Sequence, residues 1–203
     1  MTLFERLDDV RERWNVLRHP FYRRWECGEL TQEELAYYAA EYRHAVVALA
    51  ELARKSSSPE HAAEEAAHVT LWDAFAHSLD ADVDRAPRVE TEACVDAWTT
   101  PTDELEGIAA LYAIESAQPE ISRTKLDGLL EHYGFERGSA GTAYFEVHSE
   151  RDHEHAAASK RVLAERARPE DHDRVVAAVE RALAGNWTLL DGVEERVRER
   201  VDG

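Results

Sequence analysis

The stretch Tyr144-Phe145-Glu146-Val147-His148-Ser149-Glu150-Arg151-Asp152-His153-Glu154-His155 decides how this chain is read. It opens a segment free of proline and glycine that runs past Lys160, so its spacing predicts a long helix. At about 100° per residue, His148 and Asp152 lie roughly 40° apart and His148 and His155 roughly 20° apart. The three side chains therefore share one stripe, while His153 falls on another face and is expected in solvent. Two imidazoles and a carboxylate on one stripe suit iron, manganese or zinc. The stretch alone also fits a polar helix face that happens to hold histidines. Partners on facing helices decide between the two.

Working outward, the chain reads as helix after helix. Phe4, Leu7, Val10, Trp14 and Leu17 predict a first amphipathic helix over residues 3–19, broken at Pro20. A short piece through Phe21, Tyr22 and Trp25 ends at Gly28. Thr31 and Glu34 form a capping box for a helix reaching Lys55. Further helices are expected over 60–79, 89–98, 104–117 (capped by Thr102 or Asp103), through Pro119 to Tyr133, and, after the Gly138–Gly141 turn, through His148. Beyond Pro169 a last amphipathic helix spans about 171–200. Neither a strand-period run nor a 20–50-residue repeat stands out. The expectation is one all-α domain over residues 1–203, a bundle of about seven or eight helices.

Composition narrows the function classes. With 203 residues and 44% hydrophobic content, the chain can bury one substantial core. Its net charge is −18, with acidic residues spread along the sequence, which argues against nucleic acid or an anionic membrane as partner. No apolar run approaches 18 residues and the N-terminus lacks a signal peptide's apolar core, so a soluble, cytoplasmic protein is expected. The dispersed acidity also fits a salt-rich cytoplasm. Two cysteines, Cys27 and Cys94, do not suggest a disulfide scaffold. Only three lysines (Lys55, Lys125, Lys160) stand among 24 basic residues, which draws attention to Lys125 on an expected internal helix.

Helix bundles build metal sites from inward carboxylates and histidines on facing helices. On the helix over 60–79, Glu64 and Glu65 lie four and three residues before His68, so either can share a site with it. Glu115 follows the apolar run Leu111-Tyr112-Ala113-Ile114 and precedes Pro119, where a carboxylate has no surface role and is costly unless paired or metal-bound. Glu64 or Glu65, His68, Glu115, His148, Asp152 and His155 supply three carboxylates and three imidazoles. That inventory fits two iron or manganese ions bridged by a carboxylate better than one tetrahedral zinc.

Three blocks carry a resemblance: residues 19–31 (His-Pro-Phe-Tyr-Arg-Arg-Trp-Glu-Cys-Gly-Glu-Leu-Thr), residues 110–125 around Glu115, and Tyr144 through His155. Over roughly residues 15–165 the chain resembles the CADD-type branch of the haem-oxygenase-like di-iron oxidases, whose fold is shared with TenA and PqqC proteins. The His-x3-Asp-x2-His block is the most specific, and the first block supports the fold more than the reaction. The resemblance implies a haem-oxygenase-like bundle and metal ligands Glu64, His68, Glu115, His148, Asp152 and His155. It further implies para-aminobenzoate formation for folate synthesis, with Tyr22 as the ring source, Lys125 as amino donor and Tyr38 as a second tyrosine near the site. Implied cofactors are two iron ions, or iron with manganese, together with dioxygen and an external reductant. A homodimer is in keeping with related bundles. The sequence departs from the family in two places. The family spaces the glutamate and histidine of the third long helix further apart, whereas here they stand in Glu64-Glu65-Ala66-Ala67-His68, with His61 seven residues before His68 as a further candidate. Ile114 stands where the chlamydial protein has a tyrosine.

Lysine, unlike arginine, can lose its proton when buried and supply a free amine. Three rival readings remain at this level. One is a di-iron oxidase acting on an external fatty or amino acid. A second is a metal-free TenA-like hydrolase with Cys27 or Cys94 as nucleophile, and a third a helical interaction protein without metal.

Overall fold

A computed structural model describes the chain over residues 1–101 and 103–201, with side chains outside 150–153 and 197–201. Nine α-helices and two short 3-10 turns make up the regular structure of the described residues. They are α1 Leu3–Arg13, α2 Pro20–Glu26, α3 Gln32–Ser56, α4 Pro59–Ser78, α5 Val89–Thr99, α6 Glu104–Glu115, α7 Gln118–His132, α8 Ala143–Arg166 and α9 His172–Val201. The all-α expectation holds, with more helices than the seven or eight anticipated. The first helix is also shorter than expected. It stops at Arg13, and a 3-10 turn over Val16–Arg18, capped by the Asn15 side chain, leads to His19. His19 then caps α2 by accepting from the Phe21 amide, with Pro20 at the first helical position, where its missing N–H costs nothing.

Local signals set the other boundaries. Thr31 and Glu34 form the reciprocal capping box that starts α3, a device worth about 1 kcal/mol. Asp103 caps α6; Thr102, the other cap candidate, lies outside the described residues. Gly28 and Gly134 follow α2 and α7 with φ of 70° and 73°, the left-handed conformation that ends a helix without Cβ strain. No helix among the described residues is long and apolar enough to cross a membrane.

Helix α3 packs on α4, α5 and α6, α8 packs on α6 and α7, and α9 closes the bundle against α1, α5 and α6. Two apolar clusters result. The smaller one joins α1, α6, α8 and α9 through residues such as Leu7, Ile108, Leu163 and Val179. The larger is unusually aromatic, with Trp25, Trp72, Tyr22, Tyr38, Tyr42 and Phe145 among its buried side chains. Burying a side chain of Phe size contributes about 1.5–3 kcal/mol, so these rings dominate the interior. The rings come from α2, α3, α4 and α8.

Candidate metal centre

Helix α4 presents His61, Glu65 and His68 at i, i+4 and i+7, which places all three on one stripe. All three are buried, and Glu65 is 3% exposed. They face Glu115 at the last turn of α6 and His148 in the second turn of α8, exposed by 2% and 1%. Potential ligand atoms fall into two overlapping groups, each within 4.8 Å: Glu65 with His68 and His148, and Glu65 with His61 and Glu115. Glu65 belongs to both. One oxygen of its carboxylate lies 3.1 Å from His68 Nδ1 and 3.8 Å from His61 Nε2, and His61 Nε2 lies 2.8 Å from Glu115 Oε1.

These contacts do not satisfy the groups that make them. His61 Nε2, His68 Nδ1, His148 Nε2 and both Glu115 oxygens are buried without a well-formed hydrogen bond among the described residues. Buried polar atoms in native proteins are nearly always well paired, so five under-satisfied atoms in two adjoining groups require an explanation. Metal ions supply one, because imidazole nitrogen and carboxylate oxygen are the donors that iron and manganese take. The residues present therefore fit the metal expected from sequence.

Electrostatics point the same way. His148 Nδ1 donates to the Tyr144 carbonyl at 2.7 Å, which fixes the tautomer and leaves Nε2 as a lone pair aimed into the site. Burial, with His68 nearby, pushes His148 down to about 4, so it is neutral and free to ligate near pH 7. Burial also raises Glu115, although His61 opposes the shift. For Glu65 burial acts upward too, but interaction with His68, His148 and His61 outweighs it and holds the carboxyl below its ordinary value. His61 is raised, because Glu115 and the other carboxylates overcome the effect of burial.

The structure distinguishes the two glutamates that the sequence leaves open and leaves another expectation outside its reach. Glu64 does not enter either group. It lies about 100° round the helix from Glu65, its side chain is 46% exposed, and its Oε2 pairs with His155 Nε2 at 3.0 Å. His155 in turn stacks flat on His61, with centroids 4.0 Å apart, and stands at the edge of the cluster. Asp152 lies outside the residues whose side chains are described. His61 was only a secondary candidate, yet a signal for it was present. His61-x3-Glu65-x2-His68 has the same spacing as His148-x3-Asp152-x2-His155.

A second polar group is embedded in the aromatic core. Lys125, on α7, is 2% exposed, and its Nζ donates to the Tyr38 hydroxyl at 2.6 Å. Tyr38 is hydrogen-bonded to the Tyr22 hydroxyl at 2.8 Å. Nζ also sits 4.7 Å from the ring centroids of Tyr22 and Tyr42. No carboxylate is paired with it among the described residues, and burial alone drives its pKa well below the ordinary lysine value. Burial likewise pushes Tyr22 and Tyr38 up, so both remain phenols. Trp25 positions this group from α2: its Nε1 donates to the Lys125 carbonyl at 3.0 Å. That approach depends on Gly128, where a Cβ would meet the Trp25 ring at 2.7 Å and its carbonyl oxygen at 3.2 Å.

Rings in contact join the two groups. Tyr144 stacks on His148 at 4.0 Å and meets Trp72 at 4.8 Å, and Trp72 meets Tyr42 at 5.0 Å and Tyr38 at 5.9 Å. The cysteines offer no hydrolytic nucleophile in this chamber: Cys27 is exposed, and burial pushes the Cys94 thiol strongly up.

Comparison with known proteins gives the family and the fold. The family of iron-containing redox enzymes matches residues 31–187. A 4-aminobenzoate synthase of Nitrosomonas europaea is 30% identical, over 96% of this chain and 92% of its own length. Another, from Chlamydia muridarum, is 30% identical over 96% and 91%. Among solved structures, a haem-oxygenase-like domain from Shewanella denitrificans superposes with a TM-score of 0.74 at 20% identity, covering 98% of this chain and 94% of that one. A TenA homologue from Pseudomonas syringae gives 0.75 at 15% identity, covering 96% and 93%. These two likenesses establish the haem-oxygenase-like fold.

Proposed function

The chain belongs to the iron-containing redox enzymes, and we propose that within them it is an oxygen-dependent 4-aminobenzoate synthase that consumes its own Tyr22 as ring source and Lys125 as amino donor. The observation that carries this reading is the Lys125 amine, buried without a counter-ion against the Tyr22–Tyr38 hydroxyl pair. A lysine with no carboxylate partner among the described residues is costly to keep charged in an aromatic core. Nucleophilic amine chemistry requires that arrangement, because only the deprotonated amine carries a lone pair.

In this reading Glu65, His68 and His148, together with His61 and Glu115, would hold the metal. Asp152 and His155 complete the set expected from sequence. Two irons, or iron with manganese, supply dioxygen activation and the oxidising power when bound, with electrons from an external reductant. The residues of the chain do the remaining work. The Tyr144 carbonyl keeps the His148 ring in its ligating tautomer. The Tyr22 hydroxyl, held as a phenol by burial, can pass a proton to Tyr38, whose hydroxyl in turn faces the Lys125 nitrogen. Trp25 and Gly128 fix Lys125 along α7, and the surrounding rings exclude water from both reacting side chains.

The test is anaerobic reconstitution with Fe(II), alone and with Mn(II), followed by oxygen and a reductant. Metal bound per chain, oxygen uptake and released 4-aminobenzoate are measured beside a Lys125→Arg variant. The expected result is oxygen uptake with about one 4-aminobenzoate or less per chain, and none from the variant, whose guanidinium stays protonated. Full product from Lys125→Arg would remove the lysine from the reaction, and specific metal uptake without oxygen consumption would remove the redox reading.

A further inference from the structure

Two aromatic rings continue the helix stripes that carry the candidate ligands. Trp72 follows His68 on α4 by four residues, and Tyr144 precedes His148 on α8 by four, so each ring shares a face with a cluster histidine. Both are buried, Trp72 completely. Between centroids, Tyr144 lies 4.0 Å from His148 and 4.8 Å from Trp72, and Trp72 lies 5.9 Å from Tyr38. Tyr38 reaches Tyr22 through the 2.8 Å hydroxyl pair. A second line of contacts leaves Tyr144 through Phe145 and Trp25 before it meets Tyr38. That line crosses a phenylalanine, whose ring is far harder to oxidise than an indole or a phenol.

The polar partners of these rings sort them by redox chemistry. The Trp72 indole N–H donates to the Ala39 carbonyl at 2.8 Å. A carbonyl is too weak a base to take that proton, so loss of an electron leaves an indole radical cation, a stronger oxidant than a phenoxyl radical. Trp72 touches Tyr42 as well, at 5.0 Å. A phenol yields an electron readily only where its proton has an acceptor. The Tyr42 hydroxyl interacts with the side-chain amides of Gln118 and Asn186, which are not bases. The Tyr38 hydroxyl lies 2.6 Å from the Lys125 nitrogen, which burial favours as a neutral amine with a lone pair. Oxidation therefore falls on Tyr38 and, across the hydroxyl pair, on Tyr22.

We propose that Trp72 is an electron-transfer residue that relays single electrons from the Tyr22–Tyr38 pair toward the candidate metal centre. The proposal deepens the function given above and rests on it for the oxidant used in turnover. In one passage Trp72 loses an electron to a one-electron oxidant and regains it from Tyr38. The Tyr38 proton moves to Lys125 Nζ, and the Tyr38 phenoxyl radical takes the hydroxyl hydrogen atom of Tyr22. The sum is one electron on the oxidant, one phenoxyl radical at Tyr22 and one proton on Lys125, with Trp72 and Tyr38 restored. The new ammonium stands 5.8 Å from the Trp72 ring and opposes a positive charge there, so the radical does not return.

Flash photolysis of the metal-free, full-length protein tests the relay where no product can form. Cys27→Ser removes the exposed thiol, and Glu64→Cys, at the exposed edge of the cluster, carries a ruthenium polypyridyl that an added quencher converts to Ru(III). Tyrosyl radical is followed by transient absorption and electron paramagnetic resonance. Fluorinated tryptophans placed at 72 by codon suppression keep the ring shape and the N–H. Each rise of about 59 mV in their potential should slow tyrosyl formation about tenfold. Trp72→Phe should suppress the radical and Trp72→Tyr, again an oxidisable ring, should recover it. Tyr38→Phe, which removes the proton path, should suppress it too. A rate independent of the potential at 72, or equal in the Phe and Tyr variants, overturns the relay, since a packing role would respond to both alike. Should Trp72→Phe fail to fold, the fluorinated series decides alone. Iron-loaded protein that makes no 4-aminobenzoate, while the photochemical radical still forms through Trp72, overturns the proposed function and leaves the relay standing.

Discussion

Replacing Lys125 by Met should make the metal-free protein more stable at neutral pH, and the gain should shrink as pH rises. Methionine keeps the length and apolar stem of the side chain and removes the amine. The loss is one hydrogen bond to Tyr38, about 1 kcal/mol, and Tyr38 retains its bond to Tyr22. The gain follows from linkage. Burial holds Lys125 well below its ordinary pKa in the folded state, whereas in the unfolded chain it titrates near 10.4. Between those values the unfolded state binds one proton more, so the stability of the wild type rises with pH by about 1.4 kcal/mol per unit. The variant lacks this slope. Urea unfolding at half-unit steps from pH 7 to 10, with wild type and variant side by side, isolates the difference because all other groups cancel. A stability difference that closes by about 1.4 kcal/mol per unit, above the folded pKa, is the predicted result. A difference independent of pH would mean that Lys125 is charged in the fold, and the case for a free amine would collapse.

Three further outcomes are expected. Glu65→Ala should lower bound iron on both sides of the cluster, since Glu65 belongs to both ligand groups. Equilibrium dialysis would show a loss confined to one side, or none, if Glu65 were not shared. Glu64→Gln should weaken metal affinity by no more than about 10–100-fold, the range for an outer partner of a ligating histidine, and a complete loss would make Glu64 itself a ligand. Gly128→Ala should destabilise the fold by about 1–3 kcal/mol, because the added methyl meets the Trp25 ring and carbonyl. An unchanged melting temperature would show that α2 and α7 are not held as closely as described.

Much of this was legible from local chemistry. The Thr31–Glu34 box, Pro20 and the two terminating glycines fix helix ends through their own backbone requirements, without help from tertiary structure. The stop of α1 at Arg13 was not, because Trp14 and Leu17 continue an apolar period that the 3-10 turn instead uses to reach His19. Glu115 stood out as a carboxylate after an apolar run and His148 as part of a helical stripe, and both are buried. The choice between Glu64 and Glu65 was hidden because α4 carries small or apolar residues on several faces, so no single stripe marks its inner side. Only the packing of α4 against α3 and α8 turns Glu65 inward. His61 was obscured by the same ambiguity, although its spacing to Glu65 and His68 repeats that of the α8 motif. The Lys125–Tyr38–Tyr22 arrangement joins residues 16 to 103 positions apart in the chain, and periodicity carries no information on such contacts.

The most direct test of the account is isotopic. Protein is produced with ring-13C tyrosine and side-chain 15N lysine, freed of small molecules, loaded with metal and exposed to oxygen and a reductant. The account predicts that released 4-aminobenzoate carries both the 13C ring and the 15N amine, with matching mass losses mapped to Tyr22 and Lys125. Unlabelled product, or product formed over many turnovers per chain with Tyr22 and Lys125 intact, would contradict it.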